Sequence, residues 1–441
     1  MNLSKIKEIV NQPIDIAGLV VFRITFGLIL SWEIFRYFNH NWIKRYWIDP
    51  TFYFTYEGFS WVTPLTGDGM YYLFYFLGIL AFFIAIGFLY RISTILFFLG
   101  FTYTFLLDKT NYLNHFYLII LLSFIMIFLP ANRAFSIDAK IFPKIKRDWV
   151  PGWTLWWLRL QLGIVFFFGG VAKINSDWLQ GEPMRKWLAS RTDFPIIGQW
   201  FTEEWMVYLF TYSGLFIDLL IFPLLIFRKT RTLAIITLIL FHLINAQLFS
   251  IGIFPWFMIG ASTLFFPPNK LRFWKKLNVK KPNPFATSKC VLWGLGIYLL
   301  IQITIPLRHF LFKGNVSWTE EGHRFSWHMK LRSKSSTIKF YIVNSETKST
   351  TKVTLSNYLT KRQRKKIKAK PDMIVQFAHF LAAEIIQEDQ KNNVKITVNA
   401  QCGLNGRPKT YLIDTQIDLS KIKYPFYKKA NWILPLDIPL K

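Results

Sequence analysis

Long apolar runs separated by short polar segments dominate the first 306 positions of the chain. A helix needs about 20 apolar residues to cross a bilayer. The runs predict nine spans, at residues 16–38, 71–90, 92–107, 116–130, 154–173, 206–227, 232–249, 251–266 and 289–306. Several runs are shorter than about 20 residues, so one or two of them are candidates for re-entrant segments. The pattern therefore predicts an α-helical multi-pass membrane protein with about nine spans.

The pattern changes after residue 306. Segments at 335–343, 394–399 and 411–417 alternate and are rich in β-branched residues, which is typical of strands. The turn-forming sequence GLNGR at 403–407 joins the last two and predicts a hairpin. Pro371 and Asp372 predict a helix that runs to about Gln387. We therefore expect a membrane domain at 1–306 and a small β-rich domain with one helix at 307–441.

The distribution of lysine and arginine predicts the orientation in the membrane. The formal net charge is +28, and basic residues concentrate in the loops at 91, 131–153, 228–231 and 267–288. Basic loops of membrane proteins face the cytoplasm. We therefore expect the 174–205 loop and the C-terminal domain on the outer face. High usage of Lys, Ile, Asn and Phe is compatible with an AT-rich bacterial genome, so the expected location is a bacterial cytoplasmic membrane.

The composition excludes several classes of protein. At 52% hydrophobic and 19% aromatic, with the apolar residues in runs, the chain is too apolar for a soluble protein of 441 residues. The densest basic run, at 361–368, has no interleaved aromatic residues and is more typical of a solvated helix or loop face than of a nucleic-acid site. The seven histidines and two cysteines, Cys290 and Cys402, show no metal-binding spacing, so no metal site is expected.

Charged residues within the spans are costly and need an explanation. Lys173 ends the span at 154–173, where an ammonium costs about 2.5–3.5 kcal/mol. It either snorkels to the interface, which is the commoner case, or is neutral and can act as a base. Arg159 lies 14 residues earlier, about 40° away around the helix and roughly 21 Å along it, so both can line one cavity. Asp218 needs a partner, for which Arg23 or Arg159 are the candidates.

Other polar residues lie on the outer halves of different spans. His242 and Asn245 are one helical turn apart, and Asn114 and His115 open the fourth span. A single membrane histidine is more often a packing group than a catalyst. Two histidines, an amide and a lysine on the outer halves of different helices together favour a polar site.

Several motifs occur in the order and spacing that resemble the vitamin K-dependent γ-carboxylase family. They are residues 106–110 (LLDKT), 114–115 (NH), 170–178 (GVAKINSDW), 241–252 (FHLINAQLFSIG), 315–322 (NVSWTEEG) and 324–327 (RFSW). The last two are similar to the outer-domain segment of bacterial members.

The resemblance implies an enzyme: a carboxylase of the carbon–carbon lyase type coupled to quinol oxygenation. The implied cofactors are vitamin K hydroquinone of the menaquinol or phylloquinol type, dioxygen, and carbon dioxide or bicarbonate. The implied partners are a lipid quinol and a glutamate-containing peptide or protein. Lys173 matches the lysine whose neutral amine deprotonates the hydroquinone. Oxygenation then gives the epoxide and a strong base, which removes a glutamate γ-proton before carbon dioxide adds.

The resemblance also assigns further site residues. Asn114 and His115 match positions near the reacting centre, with a role in orientation or oxyanion stabilisation, and His242 has a similar role. Glycines would let a flat quinone or a neighbouring helix come close. Residues expected to contact the quinol are Phe168, Gly169, Gly170, Arg159 and Asn245.

Three functions stay open at this point. The first is carboxylation of protein-bound glutamate, and the second is quinol epoxidation with a different carboxylation substrate or none. The third is a membrane binding or transport protein on the same scaffold, although the two halves show no repeat. Cys290 and Cys402 do not match the linking disulfide of animal members, so that bridge is not expected.

Overall fold

A computed structural model describes residues 3–249, 251–274, 280–312, 314–389, 394–424 and 430–439 of the chain. Ser250 of the 241–252 motif and residues 275–279 of the predicted cytoplasmic loop at 267–288 lie outside the described residues. The helices of the first 312 residues are α1 (Leu3–Asn11), α2 (Ala17–Asn39), α3 (Gly69–Ile86), α4 (Tyr90–Leu106), α5 (Asn114–Phe128), α6 (Ile137–Ile141), α7 (Trp153–Val171), α8 (Ser176–Leu179), α9 (Met184–Ala189), α10 (Glu204–Ile226), α11 (Arg231–Phe249), α12 (Phe254–Ser262), α13 (Pro268–Leu271) and α14 (Lys289–Leu307).

Within the described residues, six helices are long and apolar enough to cross a membrane. They are α2, α3, α7, α10, α11, and α14 with the turn that continues it to Leu311. Three more, α4, α5 and α12 with the turn that continues it to Phe265, are apolar but shorter. All nine coincide with the predicted apolar runs. The helical membrane part is as expected, and the count of nine spans stays a prediction.

A two-stranded sheet and two ion pairs of Arg272 lie at the starts of α2 and α7. Strand β1 (Pro13–Asp15) pairs antiparallel with β2 (Trp149–Pro151), directly before α7. Arg272 Nε lies 2.8 Å from a carboxylate oxygen of Asp15, and its Nη2 lies 2.8 Å from one of Asp148. Arg272 thus ties the segment after α13 to β1 and to the residue directly before β2, close to the start of α7.

The C-terminal region contains a four-stranded antiparallel sheet and three helices. The helices are α15 (Val316–Thr319), α16 (Lys361–Ile367) and α17 (Pro371–Asp389), and the strands are β3 (Lys334–Asn344), β4 (Thr350–Lys352), β5 (Val394–Leu404) and β6 (Thr410–Tyr411). The strand order is β4–β3–β5–β6, and β3 pairs with β5 from Lys334↔Leu404 to Asn344↔Val394. Alternate β5 residues Ile396, Val398 and Ala400 are buried in a core shared with α17, as expected for a half-buried strand.

The predicted strands at 335–343 and 394–399 lie within β3 and β5, and the predicted helix is α17. The expectation of one helix was wrong, because the described residues of this region also form α15 and α16. The hairpin is present, since β5 and β6 pair at Gln401↔Tyr411 and Cys402↔Thr410. The third predicted strand, 411–417, is much shorter than expected and continues only as a bridge between Ile413 and Ile433. The physical reason is local, because the Asp414 side chain accepts a hydrogen bond from the Gln416 N–H at 2.9 Å. That turn withdraws the backbone from the sheet.

The basic run at 361–368 forms α16 and part of the following turn, and its solvated-face interpretation holds only in part. Thr360 and Gln363 form a capping box at the helix start. Arg362 Nε donates to the Asn111 side chain at 2.8 Å, and its guanidinium lies 4.4 Å from the ring centre of Tyr46. The helix therefore packs against the membrane part on one side.

A largely buried ion pair between Asp372 and Lys109 joins the C-terminal region to the membrane part. Asp372, at the start of α17, pairs with Lys109 at 2.9 Å and with Arg324 at 2.7 Å. Burial would raise the pKa of Asp372, but the charges of Arg324 and Lys109 outweigh it and hold the pKa well below its ordinary value of 3.8. The lowered pKa means that the folded protein stabilises the ionised form of the Asp372 carboxylate relative to the neutral form.

The ion pairs of Asp372 with Lys109 and Arg324 predict that the stability of the folded protein falls at acidic pH. Because the folded-state pKa of Asp372 is depressed, its stabilising contribution is complete above pH ~4 and is lost as the pH falls below that value. We expect the thermal unfolding midpoint in detergent to fall more steeply between pH ~4 and pH ~2 in the wild type than in Asp372→Asn, which starts lower at neutral pH. Parallel pH profiles for the two proteins would contradict this role of Asp372.

Candidate active site

A cavity of about 420 Å³ lies at the C-terminal end of α7, enclosed by α7, α10, α11 and α12 and by the segment that contains Met329. Its wall is mainly aliphatic and aromatic. The polar side chains on the wall are Lys173, Asp218, His242, Asn245, Lys330, Ser213 and Thr237. The size and the mixture of an apolar wall with a few polar groups are those of a small-molecule site.

Lys173 lies in the turn that ends α7. Its backbone N–H still donates to the Gly170 carbonyl at 2.9 Å, but Asn175 caps the next helix by accepting from the Trp178 N–H at 3.0 Å, so the chain changes direction here. The side chain therefore folds back along α7, and its Nζ donates to the Gly169 carbonyl at 3.2 Å. Lys173 is buried and does not snorkel to the surface.

Asp218 of α10 is the ion-pair partner of Lys173. The prediction that Asp218 pairs with Arg23 or Arg159 was wrong. Arg23 Nη2 donates to the Phe135 carbonyl at 2.5 Å, and Arg159 binds a carbonyl near the other end of α7. Helix packing decides this pairing, because α10 lies directly against α7.

The two glycines of α7 explain how α10 comes so close. A Cβ atom at Gly170 would lie 2.6 Å from Leu219 Cδ2, and one at Gly169 would lie 3.2 Å from Asp218 Oδ2. The glycines thus make room for the neighbouring helix, which is one of the two roles expected for them. Phe168 is buried in the main core and does not line the cavity, whereas Phe166 does.

His242 and Asn245 of α11 both line the cavity, one helical turn apart. His242 is buried, and neither of its ring nitrogens has a hydrogen-bond partner within the described part of the chain. A buried polar group without a partner is costly. A ligand with a hydroxyl or carbonyl group in this cavity would satisfy it.

His115 and Asn114 lie behind the cavity wall rather than on it. The His115 ring stacks on Phe254 at 5.7 Å, and Phe254 contacts the His242 ring edge-to-face at 6.0 Å. Asn114 Nδ2 donates to the His328 carbonyl at 3.3 Å, and Asn114 Oδ1 accepts from Tyr112 at 2.9 Å. Asn114 therefore holds the segment that leads to Met329.

Arg159 lies outside this cavity. Its guanidinium donates to the Leu264 carbonyl through Nε at 3.0 Å and Nη2 at 2.7 Å, between the rings of Trp156 and Phe265. The expectation that Arg159 and Lys173 line one cavity is not met, because the roughly 21 Å along the helix that separates them places Arg159 among different neighbours.

Lys330 was not predicted as a site residue. It lies at the rim of the cavity with a left-handed backbone φ of 48°, and its Nζ is 5.5 Å from the Trp187 ring centre and 5.1 Å from that of Phe249. No acidic side chain among the described residues pairs with it. The only signal in the sequence is its position three residues after the RFSW motif, since strain and aromatic contacts are invisible there.

Hydrogen bonds from the C-terminal region to Asp177 hold the segment that follows α7. Both carboxylate oxygens of Asp177 accept hydrogen bonds from Arg407 at 2.7 Å, and Asn405 donates to Asp177 at 2.8 Å. Arg407 and Asn405 belong to the turn between β5 and β6. The hairpin thus holds the segment that follows Lys173, and it places this end of α7 on the same face as the C-terminal region.

Comparison with known families agrees with this architecture. Residues 11–270 match the family described as HTTM domain, and residues 287–438 match the family described as vitamin K-dependent gamma-carboxylase, lumenal domain. The chain belongs to the vitamin K-dependent γ-carboxylase family. No solved structure matches the chain.

Family membership identifies the chain as a transmembrane protein of carboxylase type. The HTTM match contains every element that encloses the cavity apart from the segment with Met329 and Lys330, which lies within the lumenal-domain match. Both matched regions therefore contribute residues to the wall of this cavity.

The buried ion pair predicts a non-additive effect on stability. In Lys173→Met the Asp218 carboxylate is left buried without a partner, which costs about 3–5 kcal/mol. The double variant Lys173→Met/Asp218→Leu removes both charges, so we expect it to unfold at a higher temperature in detergent than either single variant.

Glu204→Gln is the matched control, because the Glu204–Arg185 pair is exposed and contributes less than about 1 kcal/mol. Strictly additive losses in the double variant would contradict a buried, mutually dependent pair.

Proposed function

We propose that the protein is a vitamin K-dependent γ-glutamyl carboxylase-like enzyme, in which the cavity beside Lys173 binds a vitamin K hydroquinone. The observation that supports this most strongly is a buried lysine–carboxylate pair on the wall of an apolar cavity, in a chain of the carboxylase family. When bound, the hydroquinone with dioxygen would supply the strong base that takes the γ-proton of glutamate before carbon dioxide adds.

The residues on the cavity wall suit such a ligand. The apolar side chains match the ring system and tail of a lipid quinol, and the unpartnered His242 nitrogens match its hydroxyl groups. Asn245 offers a second polar contact on the same helix face. His242 and Asn245 would orient the head so that one hydroxyl faces Lys173 Nζ.

Lys173 and Asp218 would work as one proton-accepting unit. Movement of a proton from Lys173 Nζ to the Asp218 carboxylate leaves a neutral amine and a neutral acid, with no change in the net charge of the cavity. Low dielectric favours this neutral pair relative to water, because both charged forms lose hydration. The neutral amine can then accept the proton of a quinol hydroxyl, and Asp218 keeps the first proton until turnover is complete.

The rim of the cavity would receive the glutamate. Lys330 presents a cation that has no ion-pair partner among the described residues, next to the wall that carries Lys173. A carboxylate arriving from the aqueous side would pair with it. Asn114, through the His328 carbonyl, acts as a positioning residue for this segment, and His115 supports Phe254 in the same way.

The finer topology forms part of this proposal. We propose nine spans, with α4, α5 and α12 completing the set, a membrane domain at 1–306 and an extracytoplasmic domain at 307–441. A bacterial cytoplasmic membrane would place the quinol in the bilayer and the glutamate substrate on the outer side. The lumenal-domain match supports the outer location of the C-terminal region.

A reconstitution assay tests the proposed function. Purified protein in detergent receives vitamin K hydroquinone, dioxygen, labelled bicarbonate and a glutamate-rich peptide. Epoxide and labelled peptide together are the expected result. Epoxide without label would leave quinol epoxidation with another substrate or none, and absence of epoxide would leave a binding or transport protein.

Lys173→Ala is expected to abolish epoxide formation, because the proton acceptor is lost. Partial rescue by a small exogenous amine would mark a base role rather than a structural one. Asp218→Asn should also lower the rate of epoxide formation, and added amine should not restore it. Normal turnover by a folded Lys173→Ala protein would disprove the base assignment.

Lys330→Met is expected to raise the KM for the glutamate peptide by about tenfold, the loss expected for one charge-assisted contact of about 1.4 kcal/mol. Methionine keeps the apolar contacts with Trp187 and Phe249 but lacks the charge, so the KM for the quinol should stay unchanged. Lys330→Arg should restore the peptide KM, and equal peptide KM values for all three proteins would rule out this role.

A further inference from the structure

The side of the cavity formed by α10 and α11 differs from its other walls. On α10 the lining residues lie at positions 209, 210, 213, 214, 217 and 218, and on α11 at positions 237, 240, 241, 242, 244, 245 and 249. Spacings of three and four place most of each set along one helix face. Each face forms one edge of the cavity.

Three of these lining residues are also exposed on the outer surface of the protein. Leu209 is 54% exposed, Leu240 54% and Ile244 37%. The α7 wall behaves differently, since Val165 is 1% and Phe166 4% exposed. A side chain that borders a cavity and also faces outward marks its mouth, so the cavity opens between α10 and α11.

The two helices are closed at their other ends. Near the short connection between them, Ile221 and Leu225 of α10 and Ala234 and Ile235 of α11 are buried in the main core. The helices are therefore held together near residues 221–235 and flank the cavity farther along. Both are apolar helices of membrane-spanning length, so this mouth faces hydrocarbon rather than water.

The polar end of the cavity restricts what can enter through this mouth. Lys173 and Asp218 form a pair with no net charge, and His242 offers two ring nitrogens without partners in the described chain. A neutral head with hydroxyl or carbonyl groups suits this end.

We propose that the gap between α10 and α11 is a lateral portal, through which a lipid with a neutral quinol-type head reaches Lys173 and in which its apolar tail remains during turnover. The identity of the head rests on the proposed function, whereas the position of the portal rests on the cavity and on the exposure of its lining. Leu209, Leu240 and Ile244 contact the tail.

Leu240→Trp tests the portal by narrowing it. We expect the ratio of KM for a long-tailed quinol to KM for a tail-less quinol to rise about tenfold or more, as when a few buried CH₂ groups lose their contacts. Leu233→Trp is the matched control. It lies two turns away on the same face of α11, is 69% exposed and does not line the cavity, so it should leave the ratio unchanged. Ile244→Phe, a smaller change, serves if Leu240→Trp does not fold.

Photolabelling gives a readout that does not need turnover. A quinol with a diazirine in its tail should label peptides containing Leu209, Leu240 or Ile244, and excess unlabelled long-tailed quinol should prevent this. Specific labelling without epoxide formation would keep the portal and reject the proposed function. Normal epoxide formation with unchanged KM ratios and labelling elsewhere would reject the portal and keep the function. Equal KM increases for both quinols would also overturn the portal.

Discussion

The burial of a lysine and a carboxylate against each other is the constraint on which the site depends. Neither charge is tolerated alone at this depth, because loss of hydration costs several kcal/mol per ion (about 3–5 kcal/mol when a partner is removed). Lys173 and Asp218 must therefore be brought into contact by the backbone. Gly170 lets α10 approach α7, and the turn capped by Asn175 folds Lys173 back along its own helix.

The carboxylate changes how the lysine can act. An isolated amine in an apolar pocket is neutral because burial of the ammonium form costs desolvation free energy. Each proton that the amine accepts incurs that cost again. With Asp218 beside it, the amine accepts a proton while the pair as a whole passes from no net charge to one positive charge, held between two polar groups. In the proposed reaction, a quinol anion formed next to the pair would balance that charge. Asp218 would then lower the free-energy cost of the proton transfer as well as that of the resting state.

The sequence predicts the periodic elements well and the tertiary partners poorly. Nine apolar runs correspond to nine helices, and the α17 helix and the β5–β6 hairpin follow from local turn and capping signals. Lys173, His242 and Asn245 line the cavity as expected, because polar residues in apolar runs are conspicuous in the sequence.

The sequence does not predict the ion pair of Asp218 with Lys173, since that pair depends on which helices are neighbours. Arg159 and Phe168 do not line the cavity, because the neighbours of a helix position depend on packing that the sequence does not show. Lys330 has no signal in the sequence, because its backbone conformation and ring contacts arise only in the fold.

The contact between Asp177 and Arg407 has a consequence for how the protein is made. The two residues are 230 positions apart in the chain, so the support of α7 comes from a hairpin that is synthesised long after α7 enters the membrane. Until that hairpin has crossed to the outer side and docked, the segment after Lys173 lacks its outer clamp. In a nascent chain, the turn that carries Lys173 therefore lacks the hydrogen bonds of Asp177 to Arg407 and Asn405 until the C-terminal region has been synthesised.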